Sequence, residues 1–161
     1  MVRDALPGEL AAIGDLRVSA YVAEGFLSAD SHYTETLRGL GRAGDGQVLA
    51  AVHDEQILGT VMLQPWPHAG NVVRTPDEAE IRALAVAPGA QGRGVGRALL
   101  RAVTDRALGQ GVHHLMLCTQ PEMVAAQHLY AVAGFRRIPD RDWCPVPGFP
   151  LLAYGRDLRT R

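Results

Sequence analysis

Three alternate glycines lie between a predicted strand and a predicted helix, in the stretch Gln91-Gly-Arg-Gly-Val-Gly-Arg97. Because glycine has no Cβ atom, this backbone can approach a ligand closely. The following helix directs its first N–H groups and the positive end of its dipole toward the same place, and Arg93 and Arg97 add side chains that can bind phosphate in a bidentate manner. The stretch predicts an anion site suited to a diphosphate. The alternative is that the glycines only form a tight turn.

Two other phosphate-binding motifs are excluded. A P-loop requires a lysine within GxxxxGKS or GxxxxGKT, whereas the 16 lysine and arginine residues of this chain are all arginine. A dinucleotide fingerprint opens the first βαβ unit and is followed about 20 residues later by an acidic residue at a strand end. Here the glycines begin at residue 92, and the next predicted strand ends in Cys118-Thr119. A nucleotide oxidoreductase is therefore a weak alternative.

The periodicity of apolar residues predicts the elements around this turn. The predicted helices cover about residues 9–23, 30–40, 94–108 and 121–133. The predicted strands cover about residues 47–53, 56–64, 78–87, 113–119, 135–138 and 150–157. A bulge is expected to exchange the two faces of the strand over 78–87. The βαβ segment implies two parallel strands and the hairpins imply antiparallel partners, so we predict a mixed α/β (α+β) fold rather than a doubly wound one.

The composition excludes several classes of protein. The chain of 161 residues is 47% apolar and 20% charged, with a net charge of -1. These values are typical of a single folded domain and argue against a strongly basic nucleic-acid-binding protein. No apolar run reaches the roughly 20 residues of a membrane span, and the N-terminal segment lacks the apolar core of a signal peptide. We therefore expect a cytoplasmic protein that binds neither membranes nor nucleic acids.

The glycine stretch and its surroundings resemble the GCN5-related N-acetyltransferase (GNAT) family. Gln91-Gly-Arg-Gly-Val-Gly96 is similar to the family's acetyl-CoA signature, Q/R-x-x-G-x-G/A. AEIRALAVAP (79–88) resembles its fourth strand, and QHLYAVAGF (127–135) resembles a later helix with its tyrosine and Gly-Phe exit. The resemblance is close over about residues 78–138. It implies one N-acetyltransferase domain over 1–161, with a mostly antiparallel sheet of six to seven strands and helices on both faces.

The resemblance also implies acetyl-CoA as the cosubstrate and no metal. The turn would hold the pyrophosphate, and the pantetheine arm would pair with residues 84–86 like an extra strand. The Leu84 N–H is the candidate for polarising the thioester carbonyl. Many members carry an asparagine soon after the fifth strand, and Thr119 or Gln120 stands in its place here. The implied cofactor-binding residues are Leu84, Ala85, Val86, Gln91, Gly92, Arg93, Gly94, Val95, Gly96, Arg97, Thr119 and Tyr130.

Two proton transfers need candidate groups. An amine with a pKa of about 10.4 is protonated at neutral pH and must lose a proton before it can attack. Glu80 stands where some family members carry a carboxylate base, although it could instead pair with Arg82; Glu78, Asp77 and His68 are weaker candidates. Tyr130 matches the tyrosine that protonates the leaving thiolate in the family. The alternative is that Tyr130 only packs.

The acceptor cannot be identified from these residues, but its class can be narrowed. By resemblance, the acceptor site would be lined by the first two helices, the hairpin exit and the last strands, with Tyr33, Trp66, His68 and Trp143 as candidate contacts. Aromatic residues with few acidic ones favour a small or partly apolar amine, or the N-terminus of a peptide. We predict an N-acetyltransferase that works by direct attack in a ternary complex, with O-acetylation as a variant and a homodimer as one possible assembly. A non-catalytic acyl-CoA-binding or sensor domain is the main alternative.

Overall fold

The computed structural model describes residues 1–28, 30–67 and 72–159, and these contain four α-helices and eight strands. The helices are α1 (Leu10–Ala23), α2 (Tyr33–Gly39), α3 (Val95–Gly109) and α4 (Val124–Val132). The strands are β1 (Val2–Asp4), β2 (Gln47–His53), β3 (Gln56–Pro65), β4 (Glu78–Val86), β5 (His114–Thr119), β6 (Arg136–Arg137), β7 (Trp143–Val146) and β8 (Phe149–Asp157). Within these ranges no helix has the length and apolar character needed to cross a membrane.

The strands form a mixed sheet in the order β1-β2-β3-β4-β5-β8-β6, with β7 paired to β8. β4 and β5 run parallel, whereas β1-β2, β2-β3, β5-β8, β6-β8 and β7-β8 are antiparallel. The predicted mixed and mostly antiparallel architecture is therefore confirmed. The strand count is eight rather than six to seven. The strands beyond the six predicted ranges are β1, which has only three residues, and β7, in which Pro145 has no N–H to donate to a ladder.

Two predicted element boundaries can be compared directly with the structure. Asp54 and Glu55 form the tight turn of the β2–β3 hairpin, with φ angles of 48° and 65°. α4 begins at Val124 instead of Pro121. The difference arises because the Gln127 side-chain amide donates to the carbonyls of Gln120 (3.1 Å) and Pro121 (3.0 Å). These two carbonyls therefore belong to a separate turn that precedes the helix.

The residues group into two compact units, and the first comprises Met1–Leu63 and Ala83–Val103. Its apolar core is a cluster of buried side chains from α1, α2, β2 and β3: Ile13, Leu37, Leu40, Val48, Ala50 and Met62. Arg17 of α1 is also buried, at 1% exposure, and donates to the carbonyls of Leu37 (3.1 Å) and Leu40 (2.8 Å). Since those carbonyls end α2, the guanidinium fixes α1 to α2.

The second unit comprises Gln64–Arg82 and Thr104–Arg161. Its cluster of buried side chains contains Val72, Val73, Met116 and Ala153, with Cys118 and Ile138 packed against it. Asp142 accepts from Arg137 at 2.7 Å and from the Ala153 N–H at 2.6 Å. These bonds fix the segment before β7 to both β6 and β8.

Gly59 of β3 provides a test of the packing in the first unit. A Cβ atom at this position would lie 2.9 Å from the Ala85 carbonyl oxygen and 2.9 Å from a methyl carbon of Leu99. We expect Gly59→Ala to lower the free energy of unfolding by about 1–3 kcal/mol, because the new methyl group would force the β4 backbone at Ala85 to shift. Urea denaturation measures this change.

Gly109→Ala is the matched control, since a Cβ there meets nothing within 4 Å and the residue ends α3. Its urea midpoint should stay the same or rise. Equal midpoints for the two variants would contradict the close packing at Gly59.

Candidate active site

The glycine-rich turn joins β4 to α3 in the first unit. Gly92 and Gly94 have φ angles of 76° and 80°, in the left-handed region that favours glycine. Gly96 is the second residue of α3, so only two of the three glycines form the turn itself. The first helical bond runs from the Ala98 N–H to the Gly94 carbonyl at 3.1 Å. The tight-turn interpretation is therefore correct for Gly92 and Gly94, and it leaves the anion-site interpretation open.

The space next to this turn is open. A Cβ atom at Gly92 or Gly94 would meet nothing within 4 Å, and residues 91–94 are exposed. The N–H groups of the first turn of α3, at residues 95–97, have no acceptor inside the helix. Arg93 and Arg97 are also exposed on this stretch. Backbone donors, a helix dipole and two guanidinium groups thus lie together, which is the donor set that a diphosphate requires.

β4 has an irregular backbone just before the predicted cofactor residues. Ala83 has a φ angle of 53°, a left-handed conformation that is unfavourable for a residue with a Cβ atom. This irregularity occurs partway along the strand in which the sequence predicts a bulge. The parallel register with β5 pairs Glu78–Glu80 with His114–Met116. Leu84, Ala85 and Val86 follow the irregular residue and complete β4.

Two side chains at the end of α1 contact this region, and the sequence predicted neither of these contacts. The Tyr21 hydroxyl donates to the Leu84 carbonyl at 3.4 Å. The Gln91 side-chain amide donates to the Glu24 carboxylate at 2.7 Å. A signal for Tyr21 does exist in the sequence, because YVAEGF (21–26) has the same Tyr-x-x-x-Gly-Phe pattern as YAVAGF (130–135).

In the second unit, Tyr130 lies in α4 and is only 7% exposed. Its ring packs edge-on against Phe135, with ring centroids 6.1 Å apart, and lies 6.3 Å from the ring of Tyr154. α4 ends at Gly134, whose φ angle is 93°, and the Phe135 N–H donates to the Tyr130 carbonyl at 3.0 Å. These bonds form a Schellman ending with Gly134 as the cap of the helix. Packing and the helix end together fix the orientation of the phenol ring.

Glu78 and Glu80 are both buried in β4, at 6% and 7% exposure. Glu78 accepts from the Arg141 guanidinium at 2.6 Å and from the Arg74 N–H at 2.9 Å. Burial alone would raise the pKa of Glu78, but these two donors outweigh it and lower the pKa. Glu78 is therefore a charged structural partner of Arg141. The structure thus places Glu78, one of the weaker base candidates, in an ion pair.

Glu80 lies in a polar group of side chains in the second unit. Burial is the main reason that the pKa of the Cys118 thiol is raised to about 11, and the negative charge of Glu80 adds to this increase. The nearby Trp143 side chain and the positive charge of Arg82 act in the opposite direction. Arg82 also donates to the Gln64 side-chain carbonyl at 3.2 Å. The structure thus brings the candidate base Glu80 and the candidate acceptor residue Trp143 close to the same thiol.

The remaining candidate site residues lie on several different elements. Tyr33 begins α2 in the first unit and is 44% exposed, whereas Trp66 follows β3 in the second unit and is 43% exposed. Thr119 is buried, and its hydroxyl donates to the Met123 sulfur at 3.4 Å, so a contact with a pantetheine arm would compete with that bond. Asp77 accepts from the Thr75 hydroxyl and lies 3.4 Å from His113. His68 lies outside the described residues.

The chain is similar in sequence to acetyltransferases, and two of these relatives are described here. It is 40% identical over 97 residues to a mycothiol acetyltransferase of Beutenbergia cavernae, a match covering 56% of this chain and 29% of that protein. It is 46% identical over 66 residues to the N-alpha-acetyltransferase RimI of Mycobacterium tuberculosis, which covers 40% of each protein. The matches therefore span less than half of these relatives.

The fold agrees with that of a PaiA N-acetyltransferase from Thermoplasma acidophilum, solved in complex with coenzyme A. The TM-score is 0.74 and the identity 14%, with 98% of each chain covered. The model of the acetyltransferase (GNAT) family matches residues 10–135, which include the glycine-rich turn, β4 and the Tyr-x-x-x-Gly-Phe end of α4. This chain therefore belongs to the GNAT family of acetyltransferases.

Proposed function

We propose that this protein transfers an acetyl group from acetyl-CoA to a primary amine of a small molecule or peptide, as one domain over residues 1–161. The observation that supports this most directly is the open turn at residues 91–97, where left-handed glycines and a helix N-terminus provide donors for a diphosphate. Membership of an acetyltransferase family supports the proposal that this diphosphate belongs to coenzyme A. Cytoplasmic location and a homodimer stay predictions.

The chain's own groups would hold the cosubstrate at two places. The N–H groups of residues 91–97, with Arg93 and Arg97, would bind the pyrophosphate. The backbone of Leu84–Val86 would bind the pantetheine arm in an extended conformation, with the Leu84 N–H directed at the thioester oxygen. When bound, acetyl-CoA supplies an activated carbonyl and a thiolate leaving group. A well-placed donor at that oxygen contributes about 3–4 kcal/mol to lowering the barrier.

Proton transfer would use Glu80 and Tyr130. Glu80 is a buried carboxylate, and it would accept a proton from the acceptor ammonium directly or through a water molecule. A free phenol has a pKa of about 10 and an alkyl thiol such as cysteine one of about 8.5. The Tyr130 hydroxyl would therefore donate a hydrogen bond to the leaving thiolate and pass on its proton at a cost of about 2 kcal/mol. The packing of Tyr130 against Phe135 and Tyr154 would keep its hydroxyl in a single orientation.

The acceptor would be an amine carried by a small molecule or by the N-terminus of a polypeptide. The names of the relatives, a mycothiol acetyltransferase and an N-alpha-acetyltransferase, span these two classes. The candidate apolar contacts for a small or partly apolar acceptor stay those predicted from the sequence: the exposed ring of Tyr33 in the first unit, and Trp66 and Trp143 in the second. Direct attack in a ternary complex needs no covalent enzyme intermediate, and Cys118, whose pKa is raised to about 11, is unsuited to act as a nucleophile.

A free-thiol release assay tests the proposal. We expect release of thiol from acetyl-CoA that depends on the added amine, across a panel of amines, amino acids and peptides. The same panel at increasing acceptor concentration identifies the acceptor class. Saturable binding of acetyl-CoA by calorimetry without thiol release for any amine would replace the proposal with a non-catalytic acyl-CoA-binding domain.

Gly94→Ala tests the turn. Alanine at a φ angle of 80° is unfavourable by about 1–2 kcal/mol, so the turn should leave this conformation and the Kd for acetyl-CoA should rise roughly 5- to 30-fold. Gly111→Ala is the matched control, because Gly111 has a φ angle of 78° and equally open space but lies after α3. Equal affinity of the two variants in calorimetry would show that the turn does not bind the ligand.

Tyr130→Phe tests the proton donor. Loss of the hydroxyl should lower kcat by about 100-fold or more, with little change in the Kd for acetyl-CoA, because the ring and its packing remain. Tyr154→Phe is the control, since it removes a neighbouring hydroxyl that donates to Gln127 at 3.2 Å. An unchanged kcat in Tyr130→Phe would remove the acid role and leave Tyr130 as a packing residue.

A further inference from the structure

We infer that Tyr21 and Glu24, at the end of α1, are positioning residues that fix the two parts of the cofactor site in the first unit. This inference rests on the proposed function, because it assigns the pantetheine arm to β4 and the diphosphate to the turn. Tyr21 would set the position of the thioester end, and Glu24 would set the position of the turn. Neither residue is placed in contact with the reacting atoms.

The end of α1 is itself held by its backbone. Gly25 has a φ angle of 78°, its N–H donates to the Val22 carbonyl at 3.0 Å, and the Phe26 N–H donates to the Tyr21 carbonyl at 2.9 Å. These two bonds form a Schellman ending. Tyr21 and Glu24 are three residues apart and therefore lie on the same side of the helix. The Tyr21 ring also packs against the apolar cluster of the first unit, so the position of its hydroxyl is well defined.

The Tyr21 hydroxyl contacts the side of β4 that points away from β3. The Ala87 N–H donates to the Leu58 carbonyl of β3 at 2.8 Å. Since backbone groups alternate along a strand, those of Ala85 also point toward β3 and those of Leu84 and Val86 point away. The Leu84 N–H and carbonyl therefore point to the same side. It is on this side that an extended pantetheine arm would pair with the strand.

The bond from Tyr21 occupies one of the two groups that Leu84 presents on that side. The hydroxyl donates to the Leu84 carbonyl at 3.4 Å, so this carbonyl already has a donor, while the N–H of the same residue is the group assigned to the thioester. The hydroxyl uses one of the two lone pairs of that oxygen. We expect pairing of the arm to end at Leu84, with the thioester next to the Leu84 N–H. The adjacent Ala83 has an unfavourable φ angle of 53°, so a hydrogen bond to Leu84 also helps to stabilise the backbone of this segment.

Glu24 acts at the other part of the site. Its carboxylate accepts from the Gln91 side chain at 2.7 Å, and Gln91 is the first residue of the glycine-rich turn. A hydrogen bond to a charged acceptor is stronger than one between neutral groups, although both side chains are exposed to solvent here. The expected role is to hold the turn in place before the diphosphate binds. It should influence affinity rather than the chemical step.

The two variants should therefore have different kinetic signatures. In Tyr21→Phe we expect kcat to fall about 10-fold with the KM for acetyl-CoA within twofold of the unmodified protein, because the thioester is bound but poorly placed. In Glu24→Ala we expect the KM and the Kd for acetyl-CoA to rise about two- to fivefold with kcat unchanged. Glu35→Gln, which alters an exposed carboxylate of α2, is the control for loss of a surface charge and should change neither.

The outcomes separate this inference from the proposed function. Amine-dependent thiol release by the unmodified protein, with normal kcat and KM in both variants, would overturn the positioning roles alone. A parallel decrease of kcat and of the urea midpoint in both variants would also overturn the positioning roles, since a purely structural role predicts that decrease. If the unmodified protein releases no thiol, calorimetry still decides for Glu24: unchanged acetyl-CoA affinity in Glu24→Ala overturns its role.

Discussion

The left-handed backbone at Gly92 and Gly94 is the constraint on which the first unit depends. It turns the chain from the end of β4 into the start of α3 within a few residues. As a result, the first N–H groups of a helix of 15 residues follow β4 after a short connection, residues 87–94. Because a Cβ atom at either glycine would meet nothing within 4 Å, the turn is not filled by the protein's own atoms. A tight connection and the candidate anion site are therefore the same feature of the chain.

β4 combines two different environments along one strand. At its beginning, Glu78 and Glu80 are buried beside β5, and Glu78 is neutralised by Arg141. At its end, the backbone of Leu84 offers groups that point away from β3, and Ala83 separates these two parts by leaving the extended conformation. Buried charge and irregular backbone both lower the stability of the strand that carries them. Such an element is typical of a site rather than of a purely structural strand.

Much of the fold could be predicted because its signals are local. Apolar periodicity indicated α1, α3 and the β2–β3 hairpin, and the glycine pattern indicated the turn. β7 was missed because Pro145 obscures its pattern, and the start of α4 was misplaced because the Gln127 side chain stabilises a separate turn. For the site, the turn followed from the spacing of its glycines, and packing was one of the two predicted roles of Tyr130. The contact from Tyr21 to Leu84 did not, since it joins residues 63 positions apart.

The shared Tyr-x-x-x-Gly-Phe ends of α1 and α4 affect which natural variants each segment can tolerate. In both, the bonds that close the helix use backbone atoms only, from Gly25 and Phe26 in one case and from Gly134 and Phe135 in the other. The residues between each tyrosine and its glycine can therefore drift in identity without displacing the phenol. An insertion or deletion of a single residue would instead rotate that phenol by about 100° around the helix axis. Spacing, more than composition, is what homologous sequences must preserve at these two places.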